Sequence, residues 1–110
     1  MVVIDTHSRG LPESAAGALV AEAFSSPAAA GAQVAFKKID SLWRGNVRAE
    51  IAALTGLGHH VVVAGALPQL QRSVLAGKPF VAGSPLAQTD LLHAELSAPP
   101  ADIPSLLRPG

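Results

Sequence analysis

Three short apolar runs alternate with two stretches of helical periodicity over residues 1–66, and that alternation limits the fold more than any other feature of the chain. Val2-Val3-Ile4 is a β-branched run that stops at the polar turn Asp5-Thr6-His7-Ser8-Arg9-Gly10, and it reads as a buried strand ending near Asp5. Pro12 opens a stretch in which Ala16, Leu19, Val20, Ala23 and Phe24 fall on one face of a helix, which stops around Ser25-Ser26-Pro27. Val34, Phe36 and Lys38 share one face of a second strand, with Ala35, Lys37 and Ile39 on the other. This strand ends in Asp40-Ser41-Leu42-Trp43-Arg44-Gly45. Asn46 is placed to cap the next helix, whose buried stripe is Val47, Ile51 and Leu54 and whose end is marked by Gly56 and Gly58. Val61-Val62-Val63 reads as a third strand.

The predicted order over residues 1–66 is therefore βαβαβ. It implies an α/β fold, a short parallel sheet with helices packed on it, and right-handed crossovers that put the loops after all three strands on one edge. Ligand sites of such sheets lie at that edge. Over residues 67–110 the pattern weakens. Gly77, Pro79, Gly83 and Pro85 punctuate Phe80-Val81 and Ser84-Pro85-Leu86, which suits an irregular or hairpin extension better than another βα unit. Pro99, Pro100, Pro104 and Pro109 limit the tail to a short turn of helix at Asp102 to Leu107. A length of 110 residues suits one domain with one core. Hydrophobic residues make up 49% and charged residues 15%, which excludes disorder, but much of the apolar fraction is alanine and only 4% is aromatic. A domain of this size buries roughly 65% of its unfolded surface, so marginal stability is expected.

Eight Lys and Arg balance eight Asp and Glu, which removes the general basic field that nucleic acid or an anionic membrane requires. Neither is expected as a partner. The chain has no cysteine, hence no disulfide framework, thiolate nucleophile or zinc-thiolate site, and the cytoplasm is the expected location. Met1 leads into Val-Val-Ile-Asp without a charged leader region, and no apolar run approaches the roughly 20 residues of a membrane span.

Arg9, Lys38, Arg44 and Arg72, half of the chain's basic residues, fall in or beside the loops after the three strands, together with the acids Asp5 and Asp40. A guanidinium offers a planar fork to carboxylate or phosphate, and Arg44-Gly45-Asn46 stands at a predicted helix start, where free N–H groups favour an anion. A local anion site is one reading. In the other, Asp5 and Asp40 only close turns, Lys37 and Lys38 protect an edge strand, and Arg9 and Arg72 are ordinary surface cations. His59 and His60 point to opposite faces, and His7 and His93 are remote in sequence, so no metal-ligand spacing exists. Trp43 is either a packing residue or a partner contact. Gly77-Lys78 is followed by Pro79 with no helix pattern, so a phosphate loop and an ATP site are not expected.

Lys37-Lys38-Ile39-Asp40-Ser41-Leu42-Trp43-Arg44-Gly45-Asn46 resembles the K-x-D-S-T-L-R-G-N signature of the four-carbon acid sugar kinases. Val3 to Arg9 is similar to that family's I-D-T-D/E-S-R strand and turn, and Phe80 to Thr89 to its V-x-G-x-P-L-x-x-T segment. The resemblance covers nearly the whole chain. It implies an acid-sugar-binding N-terminal domain from larger ATP-dependent kinases acting on threonate, erythronate or 3-oxo-tetronate-like acids, some labelled Hrp-dependent type III effectors. It further implies that Ser8, Arg9, Lys38, Asp40, Ser41, Arg44, Gly45 and Asn46 line the acid-sugar site, the cations on the carboxylate and the polar groups on hydroxyls.

The chain departs from the family pattern at several positions. The family's threonine is Leu42, its leucine Trp43, its acid before Ser-Arg is His7, and its Gly-Arg-Thr is Gln71-Arg72-Ser73. The family's first strand with D-D-x-T-G is not seen before Met1, nor a nucleotide domain after Gly110, so the expectation is a truncated domain with no cofactor of its own, ATP and magnesium being implied only for a complete enzyme. Expected partners are a small four-carbon sugar acid and either a second copy in a homodimer or a complementary chain carrying the first strand and nucleotide domain. The competing expectation is a non-catalytic small-anion binding or interaction module, with Leu42 and Trp43 as an apolar contact.

Overall fold

The computed structural model describes residues 1–95 and 98–108; Pro109, counted above among the tail prolines, lies outside them. The chain divides into two compact units, one comprising Met1–Lys38 and Gly45–Val62, the other Ile39–Arg44 and Val63–Gly110.

The first unit is built on a pair of helices. Helix α1 spans Glu13–Phe24 and follows Pro12, whose fixed φ suits a helix start. A short α2 spans Pro27–Ala30 and α3 spans Val47–Gly56. Ala16 and Val20 of α1 are buried, as are Val47, Ile51 and Leu54 of α3, so both helical stripes read in the sequence are core faces. α1 packs on α3 at close range. A Cβ on Gly17 would stand 3.3 Å from the backbone oxygen of Ala49, so the small residue sets how near the two backbones come. Gly58, at φ +87°, ends α3 in a Schellman arrangement, with Gly58 N–H donating to Thr55 O at 2.9 Å and His59 N–H to Leu54 O at 3.2 Å.

The parallel sheet expected over residues 1–66 is not present. Residues 1–8, 35–40 and 59–66 carry no regular backbone structure, and Val2, Val3, Val34, Phe36 and Val62 are exposed. The reason is physical. Branched and alternating side chains show that a segment suits a pleated surface, whereas a strand exists only where a neighbour completes its hydrogen-bond ladder, and among the described residues these runs share none.

Strands occur instead in the segment expected to be irregular or hairpin, within the second unit. β1 (Arg72–Leu75), β2 (Lys78–Val81) and β3 (Ser84–Pro85) form an antiparallel sheet of order β1-β2-β3. Two-residue Ala-Gly turns join them. Ala76 and Gly77 have φ of +49° and +76°, Ala82 and Gly83 of +49° and +81°, the doubly left-handed geometry that matches strand twist. Leu67 and Arg72 then bridge around the tight turn Pro68–Leu70, each N–H donating to the other's carbonyl, at 2.8 and 3.1 Å. The short helix expected in the tail is present as α4 (Ile103–Leu107), where Asp102 Oδ1 accepts from Ser105 N–H at 2.7 Å and Ile103 N–H donates to Gly77 O at 2.7 Å. Among the described residues no helix is long and apolar enough to cross a membrane.

Leu42 and Trp43 are core residues, 6% and 4% exposed, which overturns the expectation of an exposed apolar contact there. The Trp43 indole lies against the backbone of Gly65, where an added Cβ would fall 2.1 Å from Cζ2. Glycine is thus required at 65 by close approach rather than by its φ. Gly65→Ala is expected to destabilise the chain by about 2 kcal/mol through overpacking, whereas Gly31→Ala, at a site with nothing within 4 Å, leaves the urea midpoint nearly unchanged. Equilibrium denaturation of the two variants checks both.

Candidate functional site

The turn at residues 40–44 of the second unit is organised by one carboxylate. Asp40 Oδ2 accepts from the backbone N–H of Leu42 and Arg44, both at 3.1 Å, and from Arg44 Nε at 2.8 Å, while Oδ1 accepts from Arg44 Nη2 at 2.9 Å. Trp43 N–H donates to Asp40 O at 2.9 Å. An aspartate at the head of a turn favours such local bonding, in which its side-chain oxygens satisfy the N–H groups of the residues that follow. Trp43 takes a left-handed φ of +61° within it, a strain of about 1 kcal/mol that the Asp40 bonds and the burial of its indole offset. Burial pushes the Asp40 carboxyl up, but the Arg44 guanidinium and the two backbone N–H groups outweigh it and hold the group at about 2. The same pairing raises Arg44.

Beside this turn, and still within the second unit, Arg72 Nη1 donates to the Ser41 hydroxyl. Arg72 Nε is buried with no hydrogen-bond partner. The residue also lines a cavity of 460 Å³ with Gln71, Ser73, Val74, Ala82 and Gly83 among its walls. Asp40, Ser41 and Arg44, all expected at the site, are thus brought together, and Arg72 joins them.

Ser8, Arg9, Lys38, Gly45 and Asn46 belong to the first unit. Ser8 is buried, accepts from Thr6 Oγ1 at 3.1 Å and donates to Glu50 Oε1. Glu50 is 6% exposed and pairs with Lys37 Nζ at 2.7 Å. The lysine that carries a buried partner is therefore Lys37, whereas Lys38 is exposed. Glu50 escaped the sequence reading, although it interrupts the Val47, Ile51, Leu54 stripe on the same helical face, the one signal that could have found it. Asn46 occupies the N-cap position of α3 but makes no side-chain cap bond. Its Nδ2 instead donates to Ser8 O at 2.9 Å and Leu11 O at 2.8 Å, tying the loop after residue 7 to the start of α3. Gly45 has φ +86°, and a Cβ there would stand 3.2 Å from Arg9 Cγ.

Asp40 makes a pH-dependent contribution. Its pKa is depressed in the folded state, so its stabilisation is full above the unfolded value near 4 and is lost as pH falls toward 2. Denaturation of the wild type between pH 5 and about pH 2 is expected to show about 2 kcal/mol more acid loss than the Asp40→Asn variant. Equal losses in the two proteins would remove Asp40 as the organiser of the turn.

A family model for the sugar-binding N-terminal domain matches residues 1–109. D-threonate kinase of Cupriavidus necator is 37% identical over 107 residues, covering 97% of this chain and 26% of that protein. D-threonate kinase of Salmonella typhimurium is 38% identical over 97 residues, covering 82% of this chain and 22% of that one. A crystal structure of a domain of unknown function, DUF1537, from Bordetella bronchiseptica, a domain-swapped dimer with bound citrate, superposes with a TM-score of 0.80 at 32% identity, covering 94% of this chain and 28% of that one. The chain spans about a quarter of the length of these relatives. The family model spans nearly the whole sequence and the relatives exceed 30% identity, and the chain belongs to the sugar-binding N-terminal domain family of the four-carbon acid sugar kinases.

Proposed function

We propose that this chain binds a four-carbon sugar acid, D-threonate or a close relative, as the substrate-binding part of an ATP-dependent phosphotransferase. The likeness to D-threonate kinases points to the substrate class, and the turn at residues 40–44 is the structural observation that carries the reading. A sugar acid is a short run of hydroxyls ending in a carboxylate, and its recognition takes donors and acceptors held in fixed positions. The turn fixes the Asp40 carboxylate through Arg44 and presents the Ser41 hydroxyl beside it, where that hydroxyl accepts from Arg72. ATP and magnesium belong, in this reading, to the complete enzyme. The Gly77-Lys78 pair joins two paired strands and opens no helix, so it does not supply the backbone cradle that nucleotide phosphates need.

The self-association of the Bordetella relative suggests a homodimer here as well. The first unit leaves Phe36 85% and Val62 92% exposed, and apolar side chains left in water favour association.

In a thermal-shift panel of four-carbon sugar acids, a true ligand at about 100 times its dissociation constant adds about 2.7 kcal/mol of stability, while ATP turnover stays independent of added D-threonate. No stabilisation by any acid in the panel would sink the reading. Light scattering at micromolar concentration is expected to give the mass of two chains, and Phe36→Ser to shift it toward one; a wild type of single-chain mass rules out the homodimer.

A further inference from the structure

The two guanidinium groups around Ser41 differ in what they have left to offer a ligand. Arg44 presents Nε and Nη2 to the two oxygens of Asp40, at 2.8 and 2.9 Å, so its charge is balanced within the turn. Arg72 differs. Its described hydrogen bond runs to a neutral hydroxyl, Ser41, its Nε is buried with no acceptor, and the Asp40 carboxylate of the same turn is taken up by Arg44. A guanidinium taken partly out of water without a counter-charge is costly, and an orphaned buried N–H adds to that cost. An anion that approaches the guanidinium from the cavity supplies the missing charge and lowers the first of these costs.

The surroundings suit such an anion. Arg72 is pinned at both faces of its backbone, by the paired hydrogen bonds with Leu67 and by its place opposite Val81 in the β1–β2 ladder, so its side chain starts from a fixed point. The 460 Å³ cavity it lines has small walls at Ala66, Ala82 and Gly83, two further polar side chains in Gln71 and Ser73, and no acidic residue. A cavity of this size takes a small organic acid.

We propose that Arg72, not Arg44, binds the carboxylate of the sugar acid, and that Ser41 is the positioning residue that holds its guanidinium. This rests on the reading that the domain binds a sugar acid. Arg44 then serves the turn, and discrimination between a sugar acid and the uncharged sugar alcohol of the same length resides in Arg72.

Calorimetry with D-threonate, citrate and D-threitol on wild type, Arg72→Gln and Arg72→Lys, each shown folded by circular dichroism, separates the possibilities. The expected result is a tenfold or greater loss of D-threonate affinity in Arg72→Gln, an intermediate loss in Arg72→Lys, which keeps the charge without the fork, and no change toward D-threitol. In the wild type the Arg72 Nε–H resonance is expected to move on D-threonate addition while that of Arg44 stays, a readout independent of any variant. D-threonate binding retained within twofold in Arg72→Gln, with an unmoved Arg72 resonance, overturns the assignment and leaves the sugar-acid reading intact. Citrate binding that depends on Arg72, without D-threonate binding, supports the Arg72 anion site and removes the four-carbon reading. A wild type that binds no carboxylate overturns both.

Discussion

The bonds around the Asp40 carboxylate are the interaction on which the second unit depends. One side chain gathers two backbone N–H groups and two guanidinium N–H groups, and in doing so fixes where Ser41, Trp43 and Arg44 stand. Trp43 enters a conformation unfavourable for a bulky residue and is held there with its indole against Gly65. The polar centre of the turn and its apolar anchor are therefore one device. Weakening the carboxylate loosens the packing, and filling the space at Gly65 displaces the polar groups.

The first unit solves a different problem, that of building a core from small side chains. Its helices approach closely because Gly17 leaves room beside the Ala49 backbone, which compensates in packing for what alanine lacks in area. Glu50 occupies a position on the buried face that pattern alone would give to a hydrophobe. Its charge is balanced by Lys37 and its second oxygen by the Ser8 hydroxyl. Such a group is tolerated because every strong acceptor finds a partner.

What the sequence made legible follows from how local each signal is. Both long helices could be read because a helix closes its hydrogen bonds within itself, and its stripe records the face it buries. The Gly77 and Gly83 punctuation marked the hairpin region for the same reason, since a two-residue turn is a local event. The strand expectation at Val2, Val34 and Val61 failed because pairing is a property of two segments, and a period of two names no neighbour. In the turn at residues 40–44, the proximity of Asp40, Ser41 and Arg44 was legible because they form a contiguous motif. Lys37 and Lys38 could not be told apart, because adjacent residues of an unpaired segment have no face fixed in advance. The orphaned Nε of Arg72 was invisible, as burial without a partner is written in three dimensions only.

The two Ala-Gly turns carry a conformational cost that the rest of the second unit has to meet. Each places an alanine at a φ near +49°, which costs about 1 kcal/mol relative to a residue at ease there. The β1–β2–β3 sheet offsets that cost through what closes over it, the buried Pro79 within β2 and Leu86 just beyond β3. The cavity beside Arg72, whose walls include both β1 and the Ala82-Gly83 turn, therefore owes its shape to apolar contacts made away from its own lining.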